Sequence, residues 1–243
     1  MKRQVATYSQ HFLRNPRFIA ELIGHSNVRR NDLVLDIGAG SGAITAVLAR
    51  RTRHVLAYEI EPTALEKLRR NMQLYANVEV IAQDFLQALL PGEPYKVFAN
   101  IPFHLSSSIV RKLTSTDEAH MPRSIYLIAQ KQFAQKLVPS SRHFTSQLGA
   151  QIAPWWQARI RRPLRRADFT PPPAVGAVLL ELKPQTEPLL PFLECKKYQR
   201  FVAECYASQK VFAAAPRAKC GINPERKPSE LTPEEWVRLY VAA

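Results

Sequence analysis

The chain has 243 residues, 46% of them hydrophobic and 22% charged, an ordinary globular balance that accommodates one sizeable α/β domain and a small appendage. Lys+Arg stand at 34 against Asp+Glu at 20, a net charge of +14 that points to a polyanion, either nucleic acid or an anionic membrane surface, with a basic surface kept for solubility as the plainer alternative. No window approaches the ~20 apolar residues of a membrane span, the opening MKRQVATYSQHFLRNP has no signal-like apolar run, and Cys195, Cys205 and Cys220 form no CxxC pair and have no His at ligand spacing. The expectation is a soluble cytoplasmic protein with buried reduced thiols, no metal and no membrane partner.

In chain order, NPRFIAELIGHS places Asn15 as a helix cap and Pro16 at the first helical position, with Phe18, Ile19, Leu22 and Ile23 on one face. Strand-like and helix-like stretches then alternate: LVLDIG, AITAVLARR, HVLAYEI, PTALEKLRRNM, VEVIAQDF, YKVFANI, SSSIVRKLTS and SIYLIAQ. Such alternation with short connections predicts crossover helices on a mostly parallel sheet. Beyond Pro139 the rhythm changes. WWQARIRRPLRR and AVGAVLLEL are extended runs joined by the Pro-rich DFTPPPAV, which predicts an antiparallel pair at the sheet edge and brings the strand count to seven. From about Lys183 a linker, KPQTEPLLP, leads into helical segments around LECKKYQRFVAECYAS and WVRLYVA. The expected division is a Rossmann-like α/β domain over residues 1–182 and a small helical domain over 183–243.

The first strand ends in LDIGAGSGA. A glycine-rich turn between strand and helix lets a ligand approach the backbone and aims N–H groups at it, and Gly38, Gly40 and Ala43 satisfy the dinucleotide fingerprint literally. Glu59 follows about twenty residues on, at the end of the second strand, where a carboxylate receives hydrogen bonds from ribose hydroxyls; nearby Glu61 is read as merely solvated. Asp84 is placed at the end of the third strand and Asn100 at the end of the fourth, so polar groups occupy the rim at which open α/β sheets bind ligands. Asp36 adds a carboxylate that a cationic sulfonium tolerates better than a pyrophosphate does, which favours S-adenosylmethionine over NAD. The other role open to Asp36 is to cap the glycine loop.

Asn100-Ile101-Pro102-Phe103 closes the fourth strand. An exocyclic adenine amine is a poor nucleophile because its lone pair is delocalised into the ring, so a catalyst must accept hydrogen bonds from its N–H groups as the nitrogen becomes tetrahedral. The Asn100 side-chain oxygen and the Ile101 carbonyl are two such acceptors, and Pro102 fixes the backbone that presents them. Phe103 offers an aromatic face to an unstacked or flipped-out base. Neither a metal nor a covalent enzyme intermediate is needed.

From these residues the sequence resembles the adenine-N6 ribosomal RNA methyltransferases, the group holding the Erm macrolide-resistance enzymes and the housekeeping small-subunit dimethyltransferases, over about Tyr8 to Leu182. The family's opening QNFL is matched by Gln10-His11-Phe12-Leu13, its glycine motif by LDIGAGSGAIT, its ribose acid by Glu59, its adenine-contacting pair by Asp84-Phe85, and its catalytic motif by Asn100-Ile101-Pro102-Phe103. The resemblance implies a class I S-adenosylmethionine-dependent fold, with Gln10, His11, Leu13, Gly38, Gly40, Glu59, Asp84, Phe85 and Asn100 around the cofactor. It also makes Phe169, in FTPPPAV, a second aromatic against the adenine. His11 departs from the usual Asn, and YASQKVF lacks the family's Arg-Arg-Lys run. NIPFHLSSSIVRKL is closer to the Erm branch, which implies a monomeric enzyme acting on one adenine of 23S ribosomal RNA and conferring macrolide, lincosamide and streptogramin B resistance.

Arg159, Arg161, Arg162, Arg165 and Arg166 make a basic stripe suited to neutralising RNA phosphates, or, more simply, a charged edge strand that discourages aggregation. Lys2, Arg3, Arg14, Arg17, Arg29 and Arg30 could extend it, and Trp155 or Trp156 could stack on RNA, at least one of the two belonging to the core. The competing functions are a housekeeping 16S adenine dimethyltransferase, a non-catalytic nucleic-acid-binding factor, a DNA adenine methyltransferase and an NAD-dependent oxidoreductase.

Overall fold

A computed structural model describes residues 12–13, 15–138 and 145–243. The first half runs β1 (Phe12–Leu13), α1 (Pro16–Gly24), β2 (Leu33–Ile37), α2 (Ala43–Ala49), β3 (His54–Tyr58), α3 (Pro62–Met72), β4 (Val78–Ile81), β5 (Tyr95–Asn100), α4 (Ser106–Thr114) and β6 (Ser124–Gln130). The second half runs α5 (Lys131–Leu137), α6 (Gln147–Ile152), β7 (Trp156–Leu164), β8 (Phe169–Thr170), β9 (Ala177–Pro184), α7 (Cys195–Ala207), α8 (Gln209–Ala214) and α9 (Pro233–Val241).

Local chemistry sets the helix starts. The Asn15 side chain accepts from the N–H groups of Arg17 and Phe18, and Pro16 occupies the first turn, where a missing N–H costs nothing. Glu61 is not simply solvated. It caps α3 by accepting from Thr63 and Ala64, and these bonds hold its carboxyl below the ordinary carboxylate value.

Seven strands lie in the order β4-β3-β2-β5-β6-β9-β7. The first five are parallel, and β9 runs antiparallel to both β6 and β7, so β7 points the same way as the parallel set. Every residue of β2 is buried, as a strand covered on both faces by crossover helices requires. The chain moves outward from β2 to β3 and β4, then returns to β5 on the other side of β2, so the strand order reverses at β2. The crevice beyond the carboxyl ends of β2 and β5 is where such sheets bind ligands.

The tail packs onto the same core. Tyr198, Val202, Phe212 and Trp236 belong to one continuous hydrophobic cluster with Leu148, Ile152 and Trp155, and β9 itself runs through the expected 182/183 boundary. Both tryptophans are inside: Trp155 is 0% and Trp156 2% exposed, and their indole N–H groups donate to the Leu190 and Thr114 carbonyls. Stacking of either on RNA is thereby corrected, because a buried indole with its one donor satisfied has no face to offer. Cys195 and Cys205 are buried, with thiols pushed up to about 11 by desolvation, whereas Cys220 is only half-buried. Among the described residues no helix is long and apolar enough to cross a membrane.

Candidate active site

The glycine turn depends on backbone conformations that side chains disfavour. Gly38, Gly40 and Gly42 have φ of 69°, 58° and 90°. The N–H groups of Gly38 and Ala39 both donate to the Tyr58 carbonyl, at 2.9 and 3.0 Å, which pins the turn to the end of β3. A Cβ at Gly42 would stand 2.8 Å from Leu68 Cδ1 of α3.

Glu59 follows β3 directly and is 4% exposed. Its Oε2 accepts from Gly40 N at 2.7 Å, and its Oε1 accepts from Ile60 N at 2.8 Å and Glu61 N at 2.9 Å. An ionised carboxylate has about four acceptor positions, so Oε2 retains capacity for a ribose hydroxyl while its present bond shapes the glycine turn. These carboxylate acceptors fit the hydroxyls of an adenosine cofactor.

Asp84 does not end a strand. The fourth strand of the chain, β4, stops at Ile81, and Asp84 opens a turn in which its Oδ1 accepts from Leu86 N at 2.9 Å and its carbonyl accepts from Gln87 N at 2.9 Å. That local Asx bonding ends β4 early. Phe85 is 5% exposed, with its ring edge-on to Tyr58 at 5.3 Å, so the ring belongs to the core beneath the turn. The turn is also reached by Lys112 from α4, a residue that sequence reasoning missed. Its only signal is a lysine three residues after Ile109, on the helix face that the buried Ile109 and Leu113 define.

Asn100 is the last residue of β5 and pairs with Ile128 of β6. Pro102 (φ −57°, ψ 125°) turns the chain into a short helical turn, Phe103–Leu105, closed by Leu105 N donating to the Pro102 carbonyl at 3.0 Å, and α4 follows at once. Ile101 is buried and Phe103 half-buried. Phe103 packs against the cluster that holds Leu13 and Phe169, and those two residues face each other across the β1–β8 ladder. Phe103 therefore packs on the same cluster as Leu13 and Phe169, residues far apart in sequence. The Phe169 ring is 2% exposed, so Phe103 is the more accessible of the two aromatics. Gln10 and His11 lie outside the described residues.

Asp36, expected to face the cofactor or cap the glycine loop, is turned into the protein and bonds the first turn of α2, directly after that loop. It is 1% exposed and accepts from Thr45 Oγ1 of α2 at 2.7 Å. Burial pushes its carboxyl up to about 7, against the Thr45 hydrogen bond, and the Glu59 charge adds to the rise.

A cavity of about 860 Å³ opens between α2 and α3, lined by Ser41, Gly42, Ala43, Lys67, Asn71 and Tyr75 among others. Of the described residues expected at the cofactor only Leu13 borders it, so it sits on the outer side of the glycine turn rather than at the strand ends.

The arginines divide into tied and untied groups. Arg161 lies 3.8 Å from Glu181, Arg165 pairs with Asp168 at 3.1 Å, and Arg162 pairs with Glu21 and stacks on Phe18 at 5.4 Å. Arg159 and Arg166, exposed like Arg161 and Arg165, form no ion pair among the described residues. Gln130 and Leu164 both pair with Ala177, so β7 ends at the same rim as β6, and Arg165 and Arg166 emerge on the Asn100 side of the sheet.

A family model described as ribosomal RNA adenine dimethylase matches residues 1–211. The chain belongs to this family. Within it, the chain is 29% identical over 248 residues to an rRNA adenine N-6-methyltransferase of Saccharopolyspora erythraea, covering 96% of this chain and 64% of that protein. It is 33% identical over 180 residues to a probable ribosomal RNA small subunit methyltransferase A of Methanopyrus kandleri, covering 73% of this chain and 63% of that protein. The chain thus spans slightly less than two thirds of each. The crystal structure of the 23S rRNA methyltransferase ErmE superposes with a TM-score of 0.78 at 28% identity, covering 95% of this chain and 98% of that one. The seven-stranded, mostly parallel, Rossmann-like sheet is the methyltransferase fold of the family, whose members depend on S-adenosylmethionine.

Proposed function

We propose that this protein transfers methyl groups from S-adenosylmethionine to the N6 amine of one adenine in 23S ribosomal RNA. The observation that carries the proposal is the Asn100–Phe103 corner at the end of β5, adjoining the glycine turn at the end of β2. Glu59, the Gly38–Gly40 turn, Asp84 and Leu13 would hold the cofactor, with Gln10 and His11 assigned by family resemblance. Bound there, the cofactor supplies an electrophilic methyl group on a sulfonium.

The protein's part is positioning and charge. Asn100 Oδ1 and the Ile101 carbonyl accept hydrogen bonds from the adenine amine, favouring a tetrahedral nitrogen whose lone pair is no longer shared with the ring. Phe103 stacks on the base, with Phe169 packed behind, and holds the amine in line. Arg159 and Arg166 reach RNA phosphates. The protein works as a cytoplasmic monomer, and resistance to macrolide, lincosamide and streptogramin B drugs follows from the methylated base.

A second reading, methylation of 16S RNA, is favoured by the 33% identity to the small-subunit enzyme. Mass spectrometric mapping of N6-methylated adenine in unmethylated 23S and 16S RNA treated with purified protein separates the two. Label confined to 16S removes the 23S assignment, and label in neither, with RNA and cofactor bound, removes both.

A further inference from the structure

The turn that begins at Asp84 satisfies its own donors. Leu86 N bonds the Asp84 carboxylate, Gln87 N bonds the Asp84 carbonyl, and Ala88 N bonds the Phe85 carbonyl at 3.2 Å. Its outward carbonyls need a donor from elsewhere. That donor is Lys112, whose Nζ bonds the carbonyls of Leu86 at 3.1 Å and Ala88 at 2.5 Å and stands 5.4 Å over the Phe85 ring. Lys112 belongs to α4, which starts three residues after Phe103, so one side chain joins the catalytic corner's helix to the turn that carries Asp84. Burial pulls the Lys112 amine below its ordinary value, and the Asp84 charge opposes that fall.

We propose that Lys112 is a positioning residue for cofactor recognition, fixing the Asp84–Ala88 turn so that Asp84 faces the adenine of the cofactor. The proposal rests on Asp84 as an adenine contact. A carboxylate accepts from the exocyclic amine of adenine and has no donor for the exocyclic 6-oxo group of hypoxanthine, so a well-held turn discriminates between the two. Lys112 matters to this through geometry, not contact.

The test is titration calorimetry of the full chain with S-adenosylhomocysteine and S-inosylhomocysteine, beside steady-state kinetics on 23S RNA. Lys112→Met keeps the aliphatic stem and removes both hydrogen bonds; it is expected to weaken S-adenosylhomocysteine about tenfold and narrow the preference over the inosine analogue. KM for the cofactor rises while kcat at saturation holds within about twofold. Lys112→Arg restores most of the affinity. Unchanged affinity in Lys112→Met, a loss confined to kcat, or a chain that does not fold overturns the proposal. Asp84→Asn separates the levels: if it leaves binding unchanged, the assignment of Asp84 and the role of Lys112 fall together. If it weakens binding while Lys112→Met does not, only the role of Lys112 falls.

Discussion

Pro102 rests against Gly38: a Cβ at position 38 would lie 3.3 Å from Pro102 Cδ, so the glycine turn and the Asn100–Phe103 corner are in direct contact. Gly38 also holds a φ of 69°, where a side chain costs roughly 1–2 kcal/mol. Gly38→Ala should therefore lose about that much stability in urea unfolding. Its methylation rate should fall by at least about tenfold, because the proline that fixes Ile101 must shift. Full activity in a destabilised variant would show that the contact does not position the corner.

Glu59 shapes the turn and is expected to receive the ribose. Glu59→Gln exchanges one acceptor oxygen for a donor and cannot keep all three backbone bonds. S-adenosylhomocysteine affinity should drop about tenfold to a hundredfold by calorimetry. Unaltered affinity would remove Glu59 from the cofactor site.

Asp36 makes stability depend on pH in a defined direction. Its folded value near 7 exceeds the ordinary 3.8 because of burial, so between the two the native protein holds a proton that the unfolded chain has lost. Its contribution to unfolding free energy then falls as pH rises through that window, by at most on the order of 4 kcal/mol, and is flat on either side. Asp36→Asn retains an acceptor for Thr45 and cannot ionise. Its denaturation midpoint should exceed that of the wild type at about pH 8 and approach it at about pH 4. An equal gain at both would refute the assignment.

The arginine stripe gives a graded expectation. Arg159→Ala with Arg166→Ala removes two exposed cations, and the slope of log binding constant against log salt should shrink by roughly 0.7–0.9 for each phosphate that is no longer neutralised. Arg162→Ala, whose guanidinium already pairs with Glu21 and stacks on Phe18, should change the slope less and stability more. Slopes unchanged from the wild type in both variants would mean that the stripe does not bind RNA.

Much of this architecture was legible in the residues, because alternating apolar runs with capped helices report local structure. Gly38, Glu59 and Asn100 stand at the ends of β2, β3 and β5 as their sequence positions implied. What the sequence concealed depends on tertiary placement. Asp84 slipped three residues past β4 because an Asx turn competed with the strand, Trp155 went inside under Phe192 and Tyr198 of the tail, and Trp156 went inside against α4, where it donates to Thr114. The β1–β8 ladder joins Leu13 to Phe169 across most of the chain, and no local pattern encodes such a pair. Lys112 was not singled out, since its partners are carbonyls that sequence does not display.

The central claim is methyl transfer at the Asn100 corner, and mass spectrometry of adenine in 23S RNA treated with wild-type protein or Asn100→Ala tests it most directly. The wild type should leave N6-methylated adenine at one position of 23S RNA, and Asn100→Ala should reduce the product by about a hundredfold or more while still binding RNA and S-adenosylhomocysteine. Wild-type yields from Asn100→Ala, or no methylated adenine from a wild-type protein that binds both ligands, would contradict the account.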